Sequence, residues 1–319
     1  MRTTPILSLA AVLAVACGGS GSAALKDQAR EAMPGKDTVI TSAPGSAAPG
    51  LAPAGPQGDV VTLGSPSIFQ KATVDVAATF NLSAVFALGL VEAITAQEPT
   101  RCDSSSCTWG PGHGAFDYNN FEMVVTRDGA NFKYALSGEP LSKPGSGFIA
   151  FLTGSATPSA TPHHGSGNFT VDFDAAARLD HPGTDTGKLA VTYTNIGPAN
   201  IQVTFPDATD KNSGNKENIA YGFVADASGG GDLDFAVHNL TKDERFAVHS
   251  RWKSSGQGRA DVKYTPGTNA AAQLSECWGI APFNVVYFQS NVAAYFGPDV
   301  GIESSCAFSP AVYSTKTPQ

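Results

Sequence analysis

The chain has 319 residues, of which 42% are hydrophobic and only 15% are charged, and its formal net charge at pH 7 is −8. An average soluble domain carries about 25% charged residues. This sparse, acidic charge excludes the basic surface with which proteins bind nucleic acid or anionic lipid headgroups, so we expect no nucleic-acid partner.

The N-terminus has the layout of a bacterial lipoprotein signal. Arg2 gives a basic start, small residues precede Cys17, and the apolar run 5–15 lies between them. That run is too short for a membrane span, which needs about 20 residues. The pattern predicts a signal peptide over 1–16 and lipid attachment at Cys17. Because Ala14 occupies a position where such signals usually carry Leu, an ordinary signal peptide cut just before the cysteine is the alternative.

A segment rich in small residues follows the cysteine. Residues 25–33 predict a short helix with its charged side chains exposed. The Pro/Gly/Ala tract 42–56 has too little apolar surface to bury and is typical of a semi-extended linker. We therefore expect a lipid-anchored flexible linker over 17–59 and a single β-rich domain over 60–319.

One helix is predicted at the start of that domain. Ser65-Pro66-Ser67 is a helix start signal, and the apolar pattern that follows it ends before Pro99, which predicts a helix over 66–97. Asn81-Leu82-Ser83 is expected to divide this helix, because Asn and Ser favour caps over helix interiors. The piece 84–91 is apolar on every side, which indicates a buried helix that is packed on a sheet or enclosed by one.

From residue 116 onward, apolar residues alternate with polar ones, as is typical of half-buried antiparallel strands. The alternation recurs at 132–136, 169–173, 201–205, 233–237, 246–248 and 260–264. Turn signals separate these runs, for example Asp128-Gly129-Ala130-Asn131. The polar residues of the strands, among them Arg259 and Asp261, are expected to face solvent.

The number of strands bears on the fold. We count about ten to twelve, and open sheets of more than about ten strands tend to curl or close. The sequence therefore predicts a mostly β fold with an N-terminal helix. The sheet is expected to be a curved antiparallel meander, or a half-open, up-and-down β-barrel, packed around the helix. A two-sheet β-sandwich is the alternative.

Four cysteines remain after Cys17, and an even number in an exported chain predicts two disulfides. Four cysteines allow three pairings. We favour Cys102–Cys107, which closes a short loop, and Cys277–Cys306, which fixes the C-terminal segment. The chain has no Cys-x-x-Cys spacing, which disfavours a zinc site, and we expect no metal and no cofactor.

No sequence motif names a reaction. The Gly-x-Ser-x-Gly elbow, the P-loop and His-Glu-x-x-His are all absent, so we assign no catalytic residue and rank an enzyme last. His238 and His249 lie on neighbouring predicted strands and form a two-His patch if they pair. Asp172-Phe-Asp174 and Asp232-Leu-Asp234 place carboxylates in the spacing of an acid/base or calcium site. The alternative is that these aspartates lie on a solvent-exposed strand face, where alternate polar residues serve only solubility.

Surplus apolar surface on one face of the strands, next to the apolar helix, favours binding of an apolar ligand or lipid. The candidate lining residues are Phe86, Leu90, Phe132, Tyr134, Phe169, Phe173 and Phe235. The alternative is a structural or protein-interaction lipoprotein of the cell envelope with a solid core. The sequence does not identify a protein partner.

Five short motifs carry a family resemblance: Ala16-Cys17-Gly18-Gly19, Thr108-Trp109-Gly110-Pro111, Ser250-Arg251-Trp252, Gly258-Arg259-Ala260-Asp261-Val262 and Glu276-Cys277-Trp278. With them, most of the chain after the linker resembles uncharacterised lipoproteins of myxobacteria and related Gram-negative bacteria. The resemblance implies a lipid-anchored location at the outer membrane, periplasmic or surface-exposed, because Gly18 rather than Asp follows the cysteine. It implies no catalytic residue.

Overall fold

The computed structural model describes residues 20–35, 40–44, 60–113, 117–181, 186–209, 214–267 and 271–318. The predicted signal peptide and Cys17 lie outside these ranges. The chain divides into two compact units, which we describe separately. Unit 1 comprises Met1–Thr38 and Ala87–Thr192, and unit 2 comprises Val39–Phe86 and Tyr193–Gln319.

The helices of the described residues are α1 (Ser20–Ala32), α2 (Ile68–Thr95), α3 (Phe173–Ala176), α4 (Ala293–Phe296) and a 3-10 helix (Glu303–Ser305). No helix within the described ranges has the combination of length and apolar character that a bilayer span requires. Helix α2 lies inside the predicted span 66–97.

Helix α2 runs without interruption through Asn81-Leu82-Ser83, so the expected break is wrong. The Asn81 side chain accepts a hydrogen bond from the Thr41 N–H (2.7 Å) and donates one to the Thr41 carbonyl (2.8 Å). Asn81 therefore does not cap a helix end, and instead ties the segment around Thr41 to the helix within unit 2.

Fifteen strands occur in the described residues: β1 (Arg101–Cys102), β2 (Ser106–Gly112), β3 (Asn119–Asp128), β4 (Asn131–Pro140), β5 (Ile149–Pro158), β6 (Gly165–Asp172), β7 (Lys188–Thr194), β8 (Asn200–Thr209), β9 (Lys216–Ala225), β10 (Gly231–Asn239), β11 (Glu244–Trp252), β12 (Gly258–Pro266), β13 (Ala272–Trp278), β14 (Val285–Ser290) and β15 (Val300–Gly301). Their order in the sheet is their order in the chain. This confirms the predicted antiparallel meander with an N-terminal helix, and it disfavours the two-sheet alternative.

The core of unit 1 is formed by strand residues that alternate as the sequence predicts. Phe132, Tyr134 and Leu136 of β4 are all buried. The Tyr134 ring lies over Gly154 of β5, where a Cβ atom would stand only 2.5 Å from the ring. Burial of one such large apolar side chain contributes about 1.5–3 kcal/mol, so these strands are stabilised mainly by their inner face.

Helix α1 packs on unit 1 although it belongs to the predicted linker. Its apolar side chains Leu25, Ala29 and Ala32 are buried, as is Met33 directly after the helix. Arg30 donates to the carbonyl oxygens of Thr95 (2.6 Å) and Gln97 (2.5 Å) at the C-terminal end of α2. Since α2 has no basic residue in its own last turn, Arg30 supplies the positive charge that favours a helix C-terminus.

The sheet of unit 2 has two distinct faces. Ser250, Ala260 and Glu276 align across β11, β12 and β13 on the face that α2 covers, which we call the helix face. There the Thr73 hydroxyl lies 2.7 Å from the Ser250 hydroxyl, and the Phe80 ring stacks on a neighbouring tyrosine at 4.8 Å. Because side chains alternate along a strand, the residues on either side of these three lie on the opposite face.

Two tryptophans lie against glycines of neighbouring strands in unit 2. Trp252 pairs with Gly231, and Trp278 pairs with Gly258. A Cβ atom at Gly231 would stand 2.4 Å from the Trp252 ring, and one at Gly258 would stand 2.3 Å from the Trp278 ring. Only glycine fits at these positions, which explains why Gly-rich turns open β10 and β12.

Candidate functional site

Both favoured disulfide pairs are present at bonding distance. Cys102 and Cys107 join β1 to β2 in unit 1, with their Cα atoms 4.1 Å apart. Cys277 of β13 and Cys306 are joined in unit 2, with their Cα atoms 5.5 Å apart. All cysteines within the described residues are therefore paired, and Cys17 lies outside them.

The predicted apolar lining residues are distributed over both units. Phe132, Tyr134 and Phe169 are buried core residues of unit 1, and Tyr134 and Phe169 both face Gly154 across neighbouring strands. Of the other four, Phe173, Leu90 on α2 and Phe235 on β10 are half-buried, and the Phe86 side chain lies outside the described residues.

Phe173 does not continue a strand, as the alternation predicts, but begins α3. The reason is Asp172, whose carboxylate accepts the Ala175 N–H (2.8 Å) as a helix N-cap and also pairs with Lys188 (2.9 Å). Asp174 accepts the Gly187 N–H at 3.0 Å. These two carboxylates, whose spacing is also that of an acid/base or calcium site, thus bond to backbone N–H groups of unit 1.

A cavity of about 290 Å³ lies in unit 1 between α1 and the β3–β4 turn. Its wall includes Phe132, Arg127 and Gln28. The Arg127 guanidinium donates to the Gln28 side chain and lies 5.8 Å from the centre of the Phe132 ring. Because Phe132 is buried and the polar groups are at the surface, this cavity is not an apolar ligand pocket.

The two histidines of the predicted patch do not meet. His238 pairs with Arg245 across the β10–β11 ladder, whereas His249 pairs with Asp234 four positions away. Each ring has its own carboxylate: His238 lies 2.9 Å from Asp243, and His249 lies 2.9 Å from Asp232.

The densest cluster of charged groups lies on the opposite face of the unit 2 sheet from α2. This tail face, as we name it, carries His249, Arg251, Arg259, Asp261 and Ser275, and it is covered by residues 307–318, the C-terminal tail. Arg259 and Asp261 are fully buried, so the expectation that they face solvent is wrong. The tail shields them, and its irregular sequence gives no signal of that role.

Asp261 is the centre of the tail face. One carboxylate oxygen accepts from Arg259 Nε (2.8 Å) and the Ser275 hydroxyl (2.6 Å). The other accepts from Arg251 Nη2 (3.1 Å) and the Val312 N–H (2.9 Å) of the tail. A buried charge persists only when it is paired and hydrogen-bonded, and these four donors meet that requirement.

Arg259 connects this centre to the chain that leads into the tail. Its Nη1 donates to Glu303 (2.7 Å) and to the Phe308 carbonyl (3.2 Å). The Cys277–Cys306 disulfide lies between these two acceptors in the chain. The start of the tail is therefore fixed by one covalent and two charged contacts.

Glu276 is a buried carboxyl on the helix face that the sequence patterns do not reveal. It accepts from the Ser67 hydroxyl and the Phe69 N–H (3.0 Å) at the N-terminal end of α2, where negative charge is favourable. Burial raises the pKa of Glu276 to about 7, although the bonds from Ser67, Phe69 and Ile68 oppose this. Its second oxygen has no hydrogen-bond partner among the described residues, which also disfavours the charged form.

The described residues contain no group of three or more His, Cys, Asp or Glu side chains placed to hold a metal ion. Comparison of the chain with protein-family models, curated proteins and solved structures finds no match to any of them.

Proposed function

We propose that the chain is an exported lipoprotein of the cell envelope, anchored through Cys17, with a structural or interaction role and a core filled by its own side chains. The resemblance to Gram-negative lipoproteins favours the outer membrane as its location. The membrane, reached through the lipid, is the partner that this proposal requires.

The pairing of the cysteines carries the proposal. Four of the five cysteines form two disulfides, which are typical of oxidising compartments outside the cytoplasm. The fifth, Cys17, stands where the signal pattern predicts acylation. All the cysteines besides Cys17 are used in disulfides. This supports a separate role for Cys17, which is acylation.

Helix α1 supports a short distance between the anchor and unit 1. It begins at Ser20, three residues after Cys17, and is held to unit 1 by Arg30 and its buried apolar side chains. Three residues span at most about 11 Å. A lipid on Cys17 would thus hold unit 1 near the bilayer surface, rather than at the end of a long linker.

The packing of the aromatic residues supports a solid core over a ligand carrier. Phe132, Tyr134 and Phe169 are the predicted lining residues with the least exposed surface, between 1% and 4%. Their rings pack against neighbouring strands of unit 1, as Tyr134 does on Gly154. Apolar surface that is already buried in this way is not available to a ligand.

Fractionation of a Gram-negative host expressing the full chain tests the proposal. We expect the native chain in the membrane fraction, released by detergent but not by salt, and the Cys17→Ser variant in the soluble exported fraction. Equal distribution of the two chains would contradict the anchor.

Native mass spectrometry of the soluble Cys17→Ser chain separates the two roles. We expect the mass of the polypeptide alone, with both disulfides formed. Co-purification of a stoichiometric lipid would instead favour the apolar-ligand function and contradict the solid core.

A further inference from the structure

The tail is held on the tail face through its main chain. Three carbonyl oxygens at alternate positions contact side-chain nitrogens of the sheet: Phe308 with Arg259 (3.2 Å), Pro310 with Arg251 (3.3 Å) and Val312 with His249 (2.7 Å). Alternation is what an extended backbone produces, because every second carbonyl points to the same side.

His249 differs from the two arginines because its charge changes near neutral pH. Its Nδ1 lies 2.7 Å from the Val312 carbonyl, and its Nε2 lies 2.9 Å from an oxygen of Asp232. A carbonyl and a carboxylate only accept hydrogen bonds. Neutral imidazole has one N–H and can satisfy one of them, whereas imidazolium has two and satisfies both. The geometry therefore fits the doubly protonated ring.

We propose that the C-terminal tail is a pH-sensitive strap, in which protonated His249 ties Val312 to Asp232 and loss of that proton frees the tail beyond Pro310. The start of the strap does not depend on this proton, since Cys306 is bonded to Cys277 and the arginines stay charged. The device is independent of the proposed membrane anchor.

The charges around His249 favour its protonated form. The groups that face it across β10 and β12, that lie on its own strand or that the tail carries are Asp232, Asp234, Asp261, Arg259, Lys263, Glu244, Arg245, Arg251, Tyr313 and Lys316. Arg251 is paired with Asp261, and Arg259 with Asp261 and Glu303, so two carboxylates compensate the two guanidinium charges locally. Asp232 and Asp234 remain as the negative groups beside the ring.

The direction of the pH effect follows from this balance. Burial lowers the pKa of His249, but the hydrogen bond and charge of Asp232, the Val312 carbonyl and the charge of Asp234 outweigh it, and the net pKa is raised. Asp232 and Asp234 lie on β10 and stay beside the ring whether or not the tail is docked. What docking adds is the bond to the Val312 carbonyl, which the protonated ring can donate while it also bonds Asp232, so docking gains from protonation. That gain is complete below the pKa of the ring in the released state and is lost as pH rises through the raised pKa.

Release of the strap would uncover a polar groove. Asp261 and Ser275 are 0% and 1% exposed beneath the tail, and the Val312 N–H is one of the four donors to Asp261. A tail freed beyond Pro310 removes that donor and admits water to the carboxylate. The pH effect is therefore expected to extend from the tail to the middle of β12.

Hydrogen-exchange mass spectrometry on the full chain, from about pH 5 to about pH 9, tests the strap. Protection factors, corrected for the intrinsic exchange rate at each pH, are compared for the tail and for β14. We expect tail protection to fall with rising pH by about tenfold for each pKa unit by which docking raises the pKa of His249. Protection of β14 should stay constant. Tail protection that does not change with pH would overturn the proposal.

Two histidine variants identify the group responsible. His249→Asn keeps an amide N–H donor group but cannot bond Val312 and Asp232 from two opposite ring nitrogens and carries no charge, so we expect weaker tail protection at acid pH and no pH dependence. His238→Asn is the matched control, because His238 also contacts a carboxylate but does not touch the tail. It should keep the native profile. If His238→Asn abolished the pH dependence instead, or if His249→Asn kept it, the proposal would be wrong. If His249→Asn folds poorly, the pH dependence of tail protection in the native chain still tests the proposal.

Discussion

Glu276 shows how a single residue links the sheet of unit 2 to the start of α2. Its carboxyl accepts two bonds from the helix N-terminus, yet it is fully buried and its second oxygen is unpaired within the described residues. Helix α2 has no acidic residue in its own first turn, so Glu276 serves as the capping acid. Its protonation state should therefore control how firmly the helix is held.

The Glu276→Gln variant tests this coupling, because Gln keeps the shape and the acceptor but does not titrate. The pKa of Glu276 is raised to about 7, so the folded state favours the protonated form. The stabilising effect of the proton on Glu276 is complete below the ordinary pKa of a carboxyl group and is lost as pH rises through about 7. Relative to the variant, we expect the native free energy of unfolding to fall by up to about 3 kcal/mol over that interval. Urea denaturation at several pH values measures it, and parallel curves for the two chains would contradict it.

Asp261 is the second residue whose environment dominates its effect. Asp261→Asn leaves Arg251 and Arg259 without their shared carboxylate, and removal of one partner from a buried pair costs about 3–5 kcal/mol. We expect a loss of that size in urea denaturation. The control is Asp243→Asn at an exposed ion pair with Arg245, which should leave the denaturation midpoint unchanged. Equal midpoints for native chain and Asp261→Asn would show that the cluster does not stabilise unit 2.

Among the secondary-structure elements, the sequence predicts strands well where one face of the strand is buried and the other is exposed to solvent. Strands β4, β8 and β11 follow the predicted alternation, whereas in β12 the polar residues Arg259 and Asp261 are buried as well. Strand β13 gives no such signal, because nearly every residue in it is buried on one face by α2 or on the other by the tail. The tail itself has no periodicity, so neither its position nor the burial of Arg259 could be predicted.

The charged groups that cap the two ends of α2 could not be predicted from the sequence, although its bounds could. The charged groups that serve its two ends, Glu276 and Arg30, come from distant parts of the chain rather than from the helix. Local patterns locate the helix within a few residues but contain no information about such partners. Similarly, the residues of α1 predict that it is a helix but do not indicate the surface of unit 1 on which it packs.

The Cys277–Cys306 disulfide fixes the element from which the tail starts. It closes a loop of 29 residues, for which the chain-entropy model gives a stabilisation of about 3–4 kcal/mol. We expect the Cys277→Ala/Cys306→Ala chain to lose about that much stability and to show faster hydrogen exchange throughout the tail. The matched control is Cys102→Ala/Cys107→Ala, whose loop spans 5 residues in unit 1 and which should leave the tail unchanged. Unchanged tail exchange in the first variant would contradict this assignment.

At the scale of the whole molecule, the strand order ends in two very short strands. Strands β1 and β15 have two residues each, so they present few free main-chain groups to another sheet. Short edge strands are a common protection against aggregation. Such protection would suit the proposed lipid-anchored protein, which would be concentrated at a membrane surface.

The mass of the N-terminal peptide tests the central claim, that Cys17 carries lipid, most directly. The full chain is expressed in a Gram-negative host, extracted from membranes with detergent and digested with trypsin, whose first site in a chain that begins at Cys17 is Lys26. We predict a peptide 17–26 whose mass includes a diacylglyceryl group on the Cys17 sulfur and an acyl group on its amine. The same peptide without acyl groups, or the peptide 3–26 of an unprocessed chain, would contradict the claim.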